Sequence, residues 1–313
     1  MKKILIYRNS NLGDFLITIP ILRKLRQKFP GCNITFMTIK NKRNFFLPKN
    51  IENKILVDDF LLFKKEDYKN FFQSIKLINK IKKKKFDTFI YLQEFSSFPR
   101  IFRDYIFFIF SFIPNKIGFS NYFLYRNYKK FSETIYLFKR VFDKSSVSEI
   151  KKLMFFKNEI NNRIIKKKIY ITISPGSISA PEKWNDKNWL KLVNLIKKKY
   201  NHINIILTGT LSENKICNKI KKKFNYRIIN LCNKTSIEEL FNIIKHTKVH
   251  ICQDNGSMHV ASLYCKKNIS IFNNHDPFGK WFPLNKKSKI ISVNRSINFI
   301  KPEMVFKLFK DIY

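Results

Sequence analysis

Short runs of apolar residues alternate along this chain with stretches in which apolar residues recur every three or four positions. The first run is Ile4–Tyr7, and a helical face follows it, marked by Leu16, Ile19, Leu22, Leu25 and Phe29. A short apolar run between polar turns predicts a buried strand, and the wider spacing predicts an amphipathic helix. The chain therefore begins with a predicted strand, a polar turn at Asn9–Asp14 and a helix.

The alternation continues through most of the chain. Further predicted strands are Ile34–Thr38, Thr88–Tyr91, Ile169–Ser174, Ile203–Leu207, Ile228–Leu231, Val249–Cys252 and Ile269–Phe272. Further predicted helices are Phe71–Lys84, Asn188–Tyr200, Glu213–Phe224, Ile237–His246 and Met258–Cys265. Residues 95–140 are rich in Phe, Tyr and Arg and give no clear assignment. Strands that alternate with helices of this length predict an α/β fold with parallel sheets.

A charged stretch at Lys151–Lys168 interrupts the alternation and marks the predicted domain boundary. We predict two Rossmann-like domains, residues 1–160 and 161–313, whose parallel sheets face a central cleft. The last helix is a candidate to pack back on the amino-terminal domain. In open α/β sheets, ligands bind beyond the carboxyl ends of the strands. Functional residues are therefore expected in the loops that follow the strands.

Basic residues give the chain a formal net charge of +40, from 62 Lys and Arg against 22 Asp and Glu. A charge of this size is typical of proteins that bind nucleic acid or an anionic membrane. It also arises when composition drifts toward Lys and Asn, and lysines spread along the whole chain favour that explanation. A basic enzyme that works on anionic lipid at a membrane combines the two explanations.

The five cysteines show neither CxxC spacing nor a zinc pattern, as is typical of free thiols in a reducing compartment. The start of the chain turns polar at Arg8–Asn11, too early for a secretory signal. The longest apolar run, Ile106–Ile113, is far shorter than the roughly 20 residues of a membrane span. These features predict a cytoplasmic protein, and peripheral attachment to the inner face of the cytoplasmic membrane stays open.

Glycine is scarce, with 7 residues in the chain. Most of them fall at predicted strand-to-helix turns or beside loops that contain Trp and Pro, namely Gly13, Gly176, Gly209, Gly256 and Gly279. Glycine is needed where φ is positive or where a ligand approaches the backbone closely. We therefore expect these turns to contain functional sites.

The turn after the first strand, Asn9–Asp14, is the first candidate site. Asp, Ser and Asn are favoured at the start of a helix, so one interpretation of Asp14 is a helix cap. The other interpretation is a carboxylate at the carboxyl end of a strand that acts as general base on an acceptor hydroxyl. In that case Asn11 and Gly13 are candidates for acceptor binding.

The second candidate site combines Ser174–Ser177 with Glu182–Trp184. Ser177 offers a hydroxyl and a backbone N–H group, and Lys183 offers a point charge for a diphosphate. The alternative is that Lys183 is one more solvated lysine among many. Trp184 is expected to be a packing residue.

The third candidate site, Asp254–Ala261, follows a predicted strand and opens a helix. Free N–H groups at a helix N-terminus bind anions. A histidine one turn into the helix can bond to phosphate or sugar, and an aspartate before it can hold a sugar hydroxyl. The alternative is a capped helix with a buried histidine. The candidates for donor binding here are Asp254, Asn255, Gly256, Ser257 and His259.

Two further loops follow predicted strands. Thr208 and Gly209 are candidates for donor binding, and Asn273–Pro277 with Gly279–Pro283 could form a wall of the same pocket; ordinary turn chemistry is the alternative for both. The sequence contains no P-loop, no GxGxxG motif and no metal-ligand cluster. We therefore predict neither a cofactor nor a metal.

The order of these segments resembles the heptosyltransferase family, family 9 of the glycosyltransferases, over nearly the whole chain. The matching segments are Leu12–Asp14, Pro175–Ser177 with Lys183-Trp184, Thr208-Gly209, Lys234–Ser236, Asp254–Ala261, and Asp276-Pro277 with Trp281–Pro283. The resemblance implies a GT-B architecture. It also implies transfer of a heptose from ADP-heptose to a lipopolysaccharide or lipooligosaccharide core, with inversion and without a metal.

By the same resemblance, Asp14 is the catalytic base and Lys183 neutralises the donor diphosphate, while Asp254, Gly256 and His259 hold the donor. Inverting transfer needs a base on one face of the sugar and a stabilised leaving group on the other, which agrees with these roles. The implied partners are a nucleotide-sugar donor and a lipid-linked acceptor, with an anionic membrane surface as a candidate and no nucleic acid.

One segment departs from the family pattern. Asn273–His275 stands where family members commonly carry a loop with Gly-Pro, so the donor stays open. A transferase of another sugar, for capsule or O-antigen, is the alternative among enzymes. A basic nucleic-acid-binding protein is the alternative of another class, and it gives no role to Asp14 or His259. A catalytically silent relative is a third alternative, against which Asp14 and Lys183 argue.

Overall fold

The computed structural model describes residues 1–40, 47–51, 54–64, 66–68, 70–94, 98–119, 132–156, 169–177, 182–273 and 279–313. The chain divides into two compact units, Met1–Met154 and Phe155–Tyr313. The predicted boundary at residue 160 lies outside the described residues.

The amino-terminal unit is built on a parallel sheet. Its strands are β1 (Lys3–Tyr7), β2 (Asn33–Ile39), β5 (Asp59–Phe63), β6 (Thr88–Tyr91) and β7 (Asn115–Ile117), and a small antiparallel hairpin pairs β3 (Asn50–Ile51) with β4 (Lys54–Ile55). The five parallel strands lie in the order β5-β2-β1-β6-β7. The helices of this unit are α1 (Leu12–Leu16), α2 (Ile19–Lys28), α3 (Phe71–Lys83), α4 (Phe98–Ile109), α5 (Glu133–Val141) and α6 (Val147–Met154).

The carboxyl-terminal unit repeats the plan with a six-stranded parallel sheet. Its strands are β8 (Tyr170–Ser174), β9 (Asn204–Leu207), β10 (Ile228–Asn230), β11 (Val249–Gln253), β12 (Lys267–Asn273) and β13 (Ser288–Val293). They lie in the order β10-β9-β8-β11-β12-β13. The helices are α7 (Asp186–Lys199), α8 (Asn214–Phe224), α9 (Ile237–His246), α10 (Gly256–Leu263) and α11 (Pro302–Ile312). The predicted α/β class with parallel sheets is confirmed.

Burial on both faces explains why the strands read as unbroken apolar runs. Every residue of β8 is buried, and so is every residue of β11. Parallel sheets are covered by crossover helices on both sides, so their strands do not alternate between apolar and polar residues. Polar residues inside these strands are therefore exceptions that need a partner, a point that matters for the candidate site.

The helix predicted from Leu16 to Phe29 is interrupted in the structure. Helix α1 ends at Leu16, and α2 begins at Ile19 with Pro20 in its first turn. Proline has no N–H to donate to the carbonyl four residues earlier, and its ring crowds that carbonyl, which here belongs to Leu16. The apolar spacing was read correctly, but the proline splits the helix and leaves a short first helix around Asp14.

The segment that gave no assignment contains regular structure, since α4, β7 and the start of α5 all lie within residues 95–140. Strands β5 and β13 were also not predicted. The last helix, predicted without bounds, is α11. Helix α11 packs within the carboxyl-terminal unit, where its buried Phe309 contacts Tyr200 with ring centroids 5.8 Å apart. No helix in the described part of the chain is long and apolar enough to cross a membrane.

Candidate active site

Asp14 lies where the chain leaves β1 and enters α1. One oxygen of its carboxylate accepts a hydrogen bond from the backbone N–H of Asn11, the helix cap, at 3.2 Å. The other oxygen lies 3.4 Å from the guanidinium of Arg8. Asn11 is therefore the N-cap, and Asp14, the third residue of α1, completes the capping box with its carboxylate. Its side chain is 28% exposed, so a solute can still reach the carboxylate.

Arg8 is a buried cation that the sequence analysis passed over. It is 2% exposed, it donates to the carbonyl of Leu92 at 2.6 Å, and it lies 3.6 Å from Glu133 at the start of α5. A buried charge requires charged or hydrogen-bonding partners. Arg8 therefore fixes the orientation of the Asp14 carboxylate from within the unit. The signal in the sequence was an arginine placed directly after an apolar strand.

In the carboxyl-terminal unit, Asn255 joins two of the predicted loops. It caps α10, with its side-chain oxygen accepting from the backbone N–H of Ser257 at 3.0 Å and from the Ser257 hydroxyl at 2.5 Å. Its amide nitrogen donates to the carbonyl of Gly176 at 2.5 Å. The second and third candidate sites therefore lie side by side at the carboxyl ends of β8 and β11. The predicted segments meet as the strand-end rule requires.

The loop after β9 joins the same edge through buried contacts. The hydroxyls of Thr208 and Ser174 lie 2.6 Å apart. Glu213 is buried and accepts from the backbone N–H of Thr210 at 2.9 Å. A Cβ placed on Gly176 would lie 2.2 Å from the side chain of Glu213. The close approach that we attributed to a ligand at Gly176 is therefore made by Glu213.

A buried histidine in β11, also missed from the sequence, supports the start of α10. His250 Nε2 lies 2.9 Å from the Ser257 hydroxyl, and Nδ1 lies 2.7 Å from the Thr172 hydroxyl. Because Ser257 donates its proton to Asn255, it accepts from Nε2. The Thr172 hydroxyl lies 3.2 Å from the Thr247 hydroxyl as well, and when it donates to Nδ1 the ring is neutral. Burial lowers the pKa of His250 from 6.5 to about 3.

We expect this histidine to make the carboxyl-terminal unit sensitive to acid. Below its ordinary pKa of 6.5, the unfolded chain takes up a proton on His250 that the folded chain takes up only near pH 3. The free energy of unfolding should fall across this window by about 1.4 kcal/mol for each pH unit. In His250→Gln the contribution of this histidine should be lost, and the slope between pH 6.5 and pH 4.5 should flatten; below that, Glu303, whose pKa is lowered by its hydrogen bond with Lys191, still contributes.

Urea unfolding at a series of pH values measures this slope. The three tryptophans, Trp184, Trp189 and Trp281, all belong to the carboxyl-terminal unit, so their fluorescence reports on it. His202→Gln is the matched control, because His202 is exposed and should leave the slope unchanged. Equal slopes for the wild type and His250→Gln would show that His250 does not set the acid sensitivity.

The segment that carries Lys183 is anchored on both sides. The last residue of β11, Gln253, accepts from the backbone N–H of Trp184 at 3.1 Å and donates to the carbonyl of Glu182 at 2.6 Å. Trp184 is buried, as predicted, and its ring N–H donates to the carbonyl of Ile300 at 2.8 Å. Lys183 itself is exposed. Its ammonium group therefore extends from a fixed backbone next to the carboxyl end of β11.

Glu182 strengthens this anchor with its carboxylate. It accepts from the Ser296 hydroxyl at 2.5 Å, from the backbone N–H of Ile297 at 2.8 Å and from the side chain of Asn298 at 2.9 Å.

The Glu182 carboxylate also accepts a hydrogen bond from the side chain of Asn273 at 3.3 Å. Asn273 is the first residue of the segment that departs from the family pattern, and the structure gives it this supporting contact. Residues 274–278, which include His275, Asp276 and Pro277, lie outside the described residues.

The predicted donor residues differ in what they expose. Ser177, Thr208, Ser257 and His259 are buried, whereas Gly209, Asp254, Asn255 and Gly256 are partly exposed, and Lys183 is exposed. An exposed cation, a half-buried carboxylate and the N-terminus of α10 thus lie at one edge of the sheet. This combination can bind an anion through charge and N–H groups and a hydroxyl through a carboxylate.

All five cysteines are free thiols, as predicted. Among the described residues, no group of three or more His, Cys, Asp and Glu side chains is placed to hold a metal ion.

Two parallel α/β units in one chain, with polar loops at the strand ends, are the architecture of the GT-B fold. The sequence model of glycosyltransferase family 9 (heptosyltransferase) matches residues 124–305, more than half of the chain. The protein therefore belongs to glycosyltransferase family 9 and is a glycosyltransferase. No curated protein matches the chain significantly.

Solved structures of this family have the same fold. ADP-heptose LPS heptosyltransferase II of E. coli is 17% identical, with a TM-score of 0.71 over 100% of this chain and 98% of that one. The glycosyl transferase family 9 protein of Veillonella parvula is 15% identical, with a TM-score of 0.72 over 99% and 97%. The E. coli heptosyltransferase WaaC with ADP is 15% identical, with a TM-score of 0.68 over 99% and 100%. WaaC is also solved with ADP-2-deoxy-2-fluoro heptose.

Proposed function

We propose that the protein transfers a heptose from ADP-heptose to a lipid-linked lipopolysaccharide or lipooligosaccharide core acceptor, with inversion at the anomeric carbon. The observation that carries the proposal is Lys183, an exposed cation on an anchored segment beside β11 and the N-terminus of α10. The family supports the sugar, and the WaaC structures with ADP and an ADP-heptose analogue support the donor.

In this proposal the carboxyl-terminal unit binds the donor. Lys183 and the backbone N–H group of Gly256 stabilise the negative charge of the departing diphosphate without a metal ion, whereas the Ser257 N–H, which the sequence also offered, is bonded to Asn255. Asp254 and His259 hold the sugar or ribose. Ser177, Thr208 and Gly209 line the neighbouring loops, and Asn255 orients the α10 terminus through its contacts with Ser257 and Gly176.

The amino-terminal unit supplies the base. The acceptor hydroxyl oxygen forms a bond to the anomeric carbon, its proton passes to the Asp14 carboxylate, and the bond from that carbon to the diphosphate oxygen breaks to release ADP. Arg8 holds the carboxylate in position. Asn11 and Gly13 contact the acceptor beside it.

A binding screen against ADP, UDP, GDP and CMP in the presence of a chelator tests the donor. Selective binding of ADP is the expected result. In the proposal, Lys183 and the N-terminus of α10 bind the diphosphate of the donor, and the nucleobase of the donor is adenine. A transfer assay with ADP-heptose and a core acceptor then tests the reaction. Preference for UDP, GDP or CMP would overturn the ADP-heptose donor and favour a transferase of another sugar, for capsule or O-antigen. Strict dependence on a divalent metal would overturn the proposed neutralisation by Lys183.

A further inference from the structure

The solvent-facing sides of α3 and α4 carry large apolar side chains. Phe102 is 53% exposed, Phe110 is 55% exposed and Phe112, in the turn that follows α4, is 73% exposed. Phe71 and Phe72, at the start of α3, are also 73% exposed. We call this surface the aromatic face; its other exposed members are Ile75, Tyr105, Ile106 and Ile109. Both helices contribute to the core of the same sheet with their opposite sides, through Leu77, Ile81, Phe107 and Phe108.

Compositional drift does not account for the aromatic face. Helix α7 in the other unit exposes Lys187, Lys191, Lys198 and Lys199, and α8 exposes Lys215, Asn218, Lys219, Lys222 and Lys223. These helices show what the drift produces on a solvated side, which is lysine and asparagine. On α4 the exposed side is instead Phe, Tyr and Ile, with Arg100 and Arg103. Several large apolar side chains exposed on neighbouring helices mark a candidate interaction site.

Helices α3 and α4 expose positive charge alone, whereas Glu66 and Asp87 lie exposed just outside the two helices. Helix α3 contains no Asp or Glu, and its exposed positions include Lys76, Lys80, Lys82 and Lys83. The one acidic residue of α4, Asp104, is buried and accepts a hydrogen bond from the Tyr91 hydroxyl at 2.9 Å. The two helices therefore present aromatic rings and positive charge to solvent and no exposed carboxylate.

One end of the aromatic face combines both features in a cavity. A cavity of about 560 Å³ lies between the end of α3 and the turn after α4, with Lys82, Lys85 and Phe112 in its lining. Lys82 Nζ lies 4.2 Å from the centre of the Phe112 ring. Asp87 also lines the cavity, and its carboxylate accepts from the backbone N–H of Lys3 at 2.7 Å. A phosphate group in this cavity would meet two ammonium groups and one carboxylate, so the lining keeps an excess of positive charge.

We propose that the aromatic face docks on an anionic lipid bilayer. Aromatic and aliphatic side chains enter the boundary between headgroups and acyl chains, and lysines beside them attract anionic headgroups. Charge complementarity selects this occupant, because exposed lysine without carboxylate favours a uniformly anionic surface over a mixed protein surface. The docking itself does not depend on the proposed function. Only its biological role does, which is to bring the enzyme to a lipid-linked acceptor.

Sedimentation of the full chain with vesicles tests the docking without donor or acceptor. Binding should be strong to phosphatidylcholine with phosphatidylglycerol, weak to phosphatidylcholine alone, and reduced by salt. The double variant Phe102→Gln with Phe110→Gln should lower the partition coefficient at least about tenfold. Lys82→Gln with Lys83→Gln should lower it for the anionic vesicles alone. The control, Ile229→Gln with Met304→Gln, removes exposed apolar residues of the other unit and should bind as the wild type does.

A tryptophan reporter locates the contact. The chain has no tryptophan in the amino-terminal unit, so Phe110→Trp adds one whose emission should shift to the blue and be quenched by brominated lipid. Unquenched emission, or binding by the phenylalanine variants equal to that of the wild type, would overturn the proposal.

The oligomeric state tests another occupant of the face. A wild type that is dimeric and does not bind vesicles, with phenylalanine variants that are monomeric, would assign the face to a second copy of this chain instead. A protein that docks but transfers no heptose would contradict the proposed function alone.

Discussion

Asp14→Asn is expected to abolish glycosyl transfer while leaving donor binding intact. Asparagine has the same shape, and its one amide oxygen can still accept from the backbone N–H of Asn11, so α1 keeps its cap, whereas its NH2 group faces Arg8 in place of the second oxygen. It cannot take the proton of the acceptor hydroxyl. Loss of a general base costs about 10²- to 10⁴-fold in rate, and kcat should fall by that factor. Steady-state kinetics and calorimetric binding of ADP measure the two effects separately.

Asp58→Asn is the matched control for this substitution. Asp58 is 28% exposed, as Asp14 is, and it likewise pairs with an arginine, Arg26 at 2.7 Å, and with a backbone N–H, that of Ile34 at 2.6 Å. It precedes β5 at the amino end of the sheet, away from the strand ends that carry ligands. Asp58→Asn should keep the kcat of the wild type. A kcat in Asp14→Asn close to that control would leave Asp14 only its capping role.

Lys183→Ala is expected to weaken donor binding with little effect on folding. The side chain is exposed, and the backbone around it is held by Gln253 and Asn298 whatever residue stands at 183. A hydrogen bond to a charged group contributes about 1.5–3 kcal/mol, so the Kd for ADP should rise by about ten- to hundredfold. Calorimetry measures this change, and an unchanged melting temperature shows that the fold is intact.

Two further measurements separate a diphosphate contact from a general charge effect. Lys222→Ala removes another exposed lysine of the same unit, on α8, and should leave the Kd for ADP unchanged. Adenosine carries no phosphate, so the wild type and Lys183→Ala should bind it equally. An ADP affinity in Lys183→Ala equal to that of the wild type would make Lys183 one more surface lysine.

The spacing of apolar residues predicted the elements in which those residues repeat regularly on the side that faces the core. Helix α3 was predicted at Phe71–Lys84 and is observed at Phe71–Lys83, because its Leu77 and Ile81 repeat at helical spacing toward the sheet. Strands β5 and β13 were missed. Each is an edge strand of its sheet, and two residues of β5 and none of β13 are buried. The apolar run Phe60–Phe63 of β5 was overlooked, whereas β13 mixes Ser and Lys with its apolar residues. Helix α4 was also missed. Apolar residues occur all round it, so they do not repeat at the helical spacing of a one-sided apolar face.

The loops of the candidate site were found because parallel strands place their polar ends together, but the contacts among them were not. Arg8 lies after a predicted strand and was taken as part of a polar turn. His250 and Gln253 lie inside or at the end of an apolar strand, where their partners, Thr172 and Trp184, come from distant parts of the sequence. Sequence periodicity carries no information about such long-range hydrogen bonds.

The close packing of Glu213 against Gly176 links the evolution of these two positions. A composition that has lost most of its glycine keeps this one, and the steric reason is Glu213, whose side chain fills the place of a Cβ. Neither residue can be replaced on its own without penalty, since Gly176→Ala meets Glu213 and Glu213→Ala removes the acceptor for Thr210. Substitutions at the two positions should therefore be epistatic. Mutational drift is therefore expected to replace Gly176 and Glu213 together rather than singly.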